Sequence, residues 1–397
     1  MSSMAVEAAR ARMLASVPAP RHEPVALTAA YGRVLAEDVV AGRDQPPFAA
    51  SAMDGWAVRA ADCPGALRVI GESAAGRSFG GALAAGEAVR IFTGAPMPPG
   101  ADAVVIQEDA RADGGSVSVP EVRSGKHVRP AGLDFKAGAR LLARGIRLDA
   151  WRLALAAAAG SARLAVSVRP RVAVLATGEE LVRPGEAIEP DQIYDSGSAA
   201  LGALIARWGG EPSLLASAGD NVQAIVGAVQ GAACDLLVTI GGASVGDHDL
   251  VKPALAKLGL VLEVESVNLR PGKPTSFGRL ADGRLVLGLP GNPASAMVCA
   301  QLFLRPLIVA MQGADPTPPM IAARAGAALP ANGEREHWLR AGLAQGPDGA
   351  TVATPFGDQD SSLITVFASA GALLRRGPGA PAVAAGEVVE VLPLERL

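Results

Sequence analysis

RVAVLATGEEL (Arg171–Leu181), DLLVTIGGASVGDHD (Asp235–Asp249) and RLVLGLPGNPAS (Arg284–Ser295) repeat one pattern. Each starts as a short run of Val, Leu and Ile and then breaks into Gly and small polar residues. A run that is apolar on both faces reads as a strand buried on both sides. Helical stretches lie between and after these runs, at Ser198–Trp208, Asn221–Gln230, Lys252–Leu258 and Ala294–Met311. Alternating strands and helices over residues 169–315 imply a mostly parallel, doubly wound α/β sheet covered on both faces.

On either side of this stretch the texture changes. Residues 316–397 turn β-like: WLRAGL (Trp338–Leu343), PDG (Pro347–Gly349) and ATVATP (Ala350–Pro355) read as a hairpin in a small C-terminal β domain. Residues 41–140 are dense in Gly and Pro, with short Val and Ile runs between turns. The DGGS turn (Asp113–Ser116) before Val117-Ser118-Val119 is a hairpin signal. Residues 1–40 and 141–168 read as helical, the first through Met4, Ala8, Met13, Val17 and then Leu27, Tyr31, Val34 and Leu35. Thr28 and Asp149 stand as N-caps. The simplest layout is a helical domain split by an inserted β domain.

Composition narrows the class. Half the residues are hydrophobic, so the chain is globular, and 397 residues imply two to four cores. The net charge of −3 argues against a general nucleic-acid binder. Cys63, Cys234 and Cys299 lack zinc spacing and read as buried thiols of a reducing compartment. The N-terminus lacks a secretory apolar core, and the apolar run Leu153–Ala159 is far too short to span a bilayer. These features predict a cytoplasmic protein.

The chemistry lies in the loops. In an open parallel sheet, ligands bind outside the carboxyl ends of the strands. Gly241 and Gly242 let backbone N–H groups approach a phosphate, with Ser244 beside them, and Pro290-Gly291-Asn292-Pro293-Ala294-Ser295 opens a helix. Any one loop is equally a strand-to-helix turn; three on one edge favour a phosphate-bearing ligand. No Walker loop or GxGxxG is present. The carboxylates Glu180, Asp220, Asp247 and Asp249 beside a phosphate site call for a cation, and oxygen donors suit Mg²⁺. Asp220 is equally the N-cap of the following helix. Arg270-Pro271-Gly272-Lys273-Pro274 carries two cations on a stiff turn, which fits a compact oxyanion or a charged surface turn. In the β domain, Ser51-Ala52-Met53-Asp54-Gly55-Trp56 and Ile91-Phe92-Thr93-Gly94-Ala95-Pro96-Met97-Pro98 read as loops, with Asp54 in an Asx turn.

SAMDGWAV, IFTGAPMPPGADAVV, TGEEL, GGASVGDHD, RPGKP and GLPGNPASA occur in the order of the molybdopterin molybdenumtransferases, a family that includes the gephyrin E domain. The chain resembles this family over essentially its whole length. The resemblance implies a split helical domain, an inserted β domain, an α/β domain like that of molybdopterin adenylyltransferases, and a C-terminal β barrel. It implies a homodimer that takes adenylylated molybdopterin and molybdate with Mg²⁺, releases AMP, and meets molybdopterin adenylyltransferase and apo-molybdoenzymes as partners. Matched motif by motif, Asp54, Thr93 and Asp134 line the site from the β domain. Glu180, Asp220 and Asp249 match acidic positions of the α/β domain. Arg270, Lys273, Pro274 and Ser295 match the molybdate region, with Arg340 and Ser361 from the C-terminal domain. Arg270 often is Lys in the family, and Ser266 is Lys in some members, so a less positive pocket is expected. Two rival readings are an adenylyltransferase, for which the chain is too long, and a gephyrin-like scaffold, which would not need Asp54, Glu180 and Asp249.

Overall fold

The computed structural model describes residues 3–216, 221–241 and 250–394. The chain divides into two compact units. One comprises Met1–Glu23, Gly32–Ala36 and Val166–Leu397; the other comprises Pro24–Tyr31 and Glu37–Ala165.

Helix α1 (Val6–Ala15) buries Val6, Ala9 and Met13, spaced three and four residues apart, in the largest core of the first unit. The expected helical segment over residues 1–40 is therefore corrected. Its one α-helix belongs with the α/β segment, and helix does not resume after it. His22–Ala26 is a strand and Leu27–Ala29 a single 3₁₀ turn that contains Thr28. Pro18, Pro20 and Pro24 cannot donate to a helix, and Gly32 turns the chain at φ +72°.

The second unit is built on β1 (Gly55–Val58), β2 (Gly65–Ser73), β3 (Glu87–Ile91), β4 (Ala103–Ile106), β5 (Arg111–Asp113) and β6 (Ser116–Val119), in the order β4-β1-β3-β2-β6-β5. Alternation along β1 sends Trp56 and Val58 to one apolar cluster and Ala57 to another. The Asp113–Ser116 hairpin forms as expected, with Gly114 and Gly115 both at positive φ. Helix α2 (Ala150–Ala158) is capped by Asp149, whose carboxylate accepts from the Arg152 N–H at 2.8 Å.

In the first unit the three quoted runs become neighbouring parallel strands, β7 (Arg171–Ala176), β9 (Leu236–Ile240) and β13 (Leu285–Leu289). Between them lie α3 (Ser196–Arg207), β8 (Glu211–Leu214), α4 (Val222–Gly231), α5 (Val251–Lys257), β10 (Val261–Val264), β11 (Leu269–Arg270) and β12 (Ser276–Arg279). The sheet runs β8-β7-β9-β13-β12-β10, with β12 antiparallel to both neighbours. Both faces are covered: Val172 and Val174 pack with α1 and α3, Ala173 and Leu175 with α4 and α5. After β13 the chain forms a 19-residue helix, Pro293–Met311, with a π turn at Ala300–Leu304. This helix is long and apolar enough to cross a membrane, unlike the Leu153–Ala159 run. It is 89% buried inside the protein, which makes it a core helix.

The C-terminal part is a closed five-stranded barrel. Its strands are β14 (Ile321–Ala325), β15 (Glu336–Gln345), β16 (Thr351–Pro355), β17 (Ala372–Arg376) and β18 (Val388–Pro393). The order β15-β16-β14-β18-β17 closes through β17 on β15, and the short β11 adds to β15 in parallel. Trp338–Leu343 pairs back on Thr351–Pro355 as the hairpin pattern predicts.

Candidate functional site

The carboxyl edge of the parallel sheet is stitched by its own loops. The Thr177 N–H donates to the Ile240 carbonyl at 3.1 Å, and the Gly241 N–H to the Leu289 carbonyl at 3.2 Å. Gly241 sits at φ +87°, and a Cβ there would lie 2.9 Å from the Thr177 carbonyl oxygen. A Cβ on Gly291 would stand 3.4 Å from the Gly241 Cα. A side chain is therefore excluded at Gly241 by its φ and by the Thr177 carbonyl, whereas a Cβ on Gly291 would make an ordinary contact. Glu180 is exposed and its carboxylate folds back over Gly178, where an added Cβ would come within 2.4 Å of it. Gly242, Ser244, Asp220, Asp247 and Asp249 lie outside the described residues. The helix once assigned to an Asp220 cap begins one residue later. Asn221 caps it, accepting from the Gln223 and Ala224 N–H groups at 2.8 and 3.3 Å.

Of the expected sites, Pro290–Ser295 and Ser361 meet at the start of the Pro293–Met311 helix, Arg340 is bonded to the loop that carries Ser361, and the Arg270–Pro274 turn packs on the same helix at Cys299. Pro290 follows β13 and Pro293 occupies the first helical turn, where its missing N–H costs nothing. The Asn292 side chain donates to the Ser361 hydroxyl at 2.8 Å, and the Ala294 N–H donates to the Ser361 carbonyl at 3.0 Å. These bonds pin a barrel loop to the helix N-terminus, next to the buried Ser295. On the other side, β11 sets Arg270 opposite His337 of β15. The chain then turns at Gly272, φ +115°, and packs on the helix: a Cβ on Gly272 would lie 2.3 Å from Cys299 Sγ. The Thr275 hydroxyl donates back to the Gly272 carbonyl at 2.8 Å. Lys273 is exposed at the tip of this turn and Pro274 is half-buried.

Arg340 is the largest fully buried side chain, 1% exposed. Its Nη1 donates to the Asp360 carbonyl at 3.0 Å and its Nε to Gln359 Oε1 at 3.2 Å. The buried Nη2 has no partner, and among the described residues Arg340 forms no ion pair. Burial lowers its proton affinity, opposed by Asp358 and Asp360. A buried guanidinium with one free nitrogen and no carboxylate partner is a place for an anion. His337 records the same positive field. Burial first, then Arg270, Arg335, Arg340 and Arg376, push its imidazole down to about 4.

In the second unit, Asp54 Oδ1 accepts from the Thr93 N–H at 2.7 Å, which holds its carboxyl below the usual carboxylate range. The Asp54 carbonyl accepts from the Gln107 N–H, and Ser51 and Gly94 pair through the backbone. So Asp54 and Thr93 meet, and the local Asx turn expected at Asp54 is corrected: its carboxylate bonds to a loop 39 residues away. Asp134 is fixed separately, its N–H on the Gln45 carbonyl at 2.9 Å. A cleft of about 330 Å³ nearby in the same unit is lined by Arg123, Lys126 and His127 together with Asp109 and Glu121. Sequence reasoning missed Asn292, His337 and Gln359. Their roles arise from contacts made across distant parts of the chain, for which no local spacing gives a signal.

Family models match along the chain: the MoeA N-terminal region (domain I and II) over residues 4–160, a probable molybdopterin binding domain over 173–310, and the MoeA C-terminal region (domain IV) over 322–394. Molybdopterin molybdenumtransferase 2 of Mycobacterium tuberculosis is 39% identical over 389 residues, 93% of this chain and 94% of that protein. Molybdopterin molybdenumtransferase of Haemophilus influenzae is 34% identical over 405 residues, 99% of each. Two crystal structures of a molybdopterin biosynthesis MoeA protein from Pyrococcus horikoshii superpose with TM-scores of 0.86 and 0.85, at 31% and 26% identity, covering 100% and 99% of this chain and all of theirs. With matching folds, matching domain models and relatives aligned nearly end to end, the chain belongs to the molybdopterin molybdenumtransferase family.

Proposed function

We propose that this chain inserts molybdenum into the molybdenum cofactor, using adenylylated molybdopterin and molybdate and releasing AMP. What supports the reading is the buried Arg340, with one nitrogen unpartnered and no ion pair, Arg270 on the strand beside it and Ser361 tied to Asn292. Arg270, Lys273, Arg340 and Ser295 hold the tetrahedral oxyanion. The Gly241 and Gly291 backbones, with Gly242 and Ser244, receive the phosphates at the sheet edge. Water or a molybdate oxygen attacks the molybdopterin-side phosphorus, the P–O bond to the AMP phosphate breaks and AMP departs; as the two dithiolene sulfurs bind molybdenum, their protons and one molybdate oxygen leave as water. Oxyanion charge held in a low-dielectric pocket is worth far more than the same contact in water.

Mg²⁺ is part of this reading, with Glu180, Asp220 and Asp249 as oxygen donors. When bound it neutralises phosphate charge. Among the described residues no group of three His, Cys, Asp or Glu side chains could hold a metal, and Glu180 is the described member of the proposed set. The reading also takes the protein as a cytoplasmic homodimer that exchanges substrate and product with molybdopterin adenylyltransferase and apo-molybdoenzymes. Its three cysteines are free thiols, which suits a reducing compartment.

Two parallel incubations test the assignment. Adenylylated molybdopterin, molybdate and Mg²⁺ should yield cofactor that reconstitutes an apo-molybdoenzyme. ATP and free molybdopterin should yield no adenylylated product; its appearance would favour the adenylyltransferase instead. Excess chelator, or Glu180→Gln, should suppress the first reaction, and full rates in chelator would remove the cation from the account.

A further inference from the structure

Gln359 lies in the loop between β16 and a short helix, α6 (Ile364–Ser369), and grips Arg340 from two sides. Its Oε1 accepts from the Arg340 backbone N–H at 2.9 Å and from Arg340 Nε at 3.2 Å. Its Nε2 donates to the Arg340 carbonyl at 3.0 Å and to the Phe356 carbonyl at 2.9 Å. The carboxamide thus pairs with the Arg340 backbone as a neighbouring strand would, and one of its atoms also fixes the guanidinium. The Asp360 carbonyl fixes Nη1, and Nη2 is left buried without a partner.

Every atom that aims this guanidinium is a neutral oxygen. Two carboxylates stand in the same loop and act on the guanidinium through space, but neither forms an ion pair with it. Asp360 accepts from the Ser362 N–H and hydroxyl at 2.9 and 2.6 Å, and Asp358 accepts from the Asp360 N–H at 2.8 Å. A carboxylate at position 359 would reach the same Nε and cancel the charge by pairing with it. A neutral amide orients the cation and leaves its charge for a ligand.

We propose that Gln359 is a positioning residue that holds Arg340 as an aimed, unpaired cation for the oxyanion substrate. The proposal rests on the reading of Arg340 as a molybdate contact. It acts on one substrate: the molybdate requirement depends on Gln359, and the adenylylated molybdopterin requirement does not.

The test is the rate of AMP release against molybdate and, separately, against adenylylated molybdopterin, for wild type, Gln359→Glu, Gln359→Leu and Arg340→Ala. Gln359→Glu should raise the half-saturating molybdate concentration by about tenfold or more, with that for adenylylated molybdopterin moving less than about threefold. Gln359→Leu keeps the charge and loses the aim, so a rise of roughly threefold to tenfold is expected; it decides the matter if the Glu variant does not fold. A purely structural Gln359 would lower thermal stability and shift both substrates alike, which would overturn the proposal. So would an unchanged molybdate requirement in both Gln359 variants while Arg340→Ala raises it. If Arg340→Ala also leaves it unchanged, the oxyanion reading of Arg340 falls, and the proposal with it.

Discussion

His337 stands between Arg270 and Arg376, opposite both in register across three adjacent strands. Burial disfavours the charged imidazole most and the like charges opposite it add to this, so the imidazole loses its proton first. Its folded-state value of about 4 lies below the ordinary 6.5. The folded state therefore binds fewer protons than the unfolded chain. Its contribution to stability is complete above 6.5 and is lost as pH falls toward about 4. An NMR titration of His337 should show a midpoint near 4, and His337→Gln should flatten stability over that window; a midpoint near 6.5 would contradict the charge row. Lys273 is a different kind of cation, exposed on the tip of its turn. Lys273→Ala should raise the molybdate needed for half-maximal rate by about threefold to tenfold, since a solvated charge is partly screened. An unaltered molybdate dependence would take Lys273 out of the pocket. At this scale the loops of Asp54 and Thr93 are legible as turns dense in unusual residues, while the site roles given to both rest on family resemblance. Arg340 was reached only through family resemblance, and Gln359 not at all: 19 residues separate it from the side chain it holds.

The turn at Gly272 shows what an element contributes beyond its residues. Its φ of +115° and the 2.3 Å separation between an added Cβ and Cys299 Sγ leave no room for a side chain. Cys299 is fully buried, and burial pushes its thiol up to about 12, so it stays a neutral packing group. Gly272→Ala should destabilise the protein by about 1–3 kcal/mol through backbone strain, and should displace Arg270 and Lys273. Pairing it with Cys299→Ala should recover the steric part alone. Thermal melts of the single and double variants measure this, and a Gly272→Ala protein as stable as wild type would refute it. The three parallel strands were readable because each is apolar on both faces. The flanking strands β8, β10 and β12 were missed: Glu211-Pro212-Ser213-Leu214 at the sheet edge carries neither alternation nor a long apolar run. The helix expected from Leu27 to Leu35 failed for the opposite reason. Its apolar spacing is genuine, but the residues are placed by separate contacts, Leu35 bridging to Val166.

For the whole molecule, the order of textures along the chain conveyed the inserted β domain, the α/β segment and the barrel, because each has its own period and turn density. Sequence did not convey that the first helix joins the α/β segment, since Val6, Ala9 and Met13 specify an apolar stripe without naming its partner. Assembly is the next level. The account takes the protein as a homodimer, so light scattering should give twice the chain mass of 40.0 kDa. A mass of one chain at working concentrations would contradict it. AMP is the direct readout of turnover. Purified protein is mixed with adenylylated molybdopterin and Mg²⁺, and AMP is quantified with and without molybdate. The account predicts AMP release in step with molybdenum insertion, accelerated by molybdate and reduced in Arg340→Ala. Cofactor formed without AMP, or AMP release that ignores both molybdate and Arg340, would contradict it.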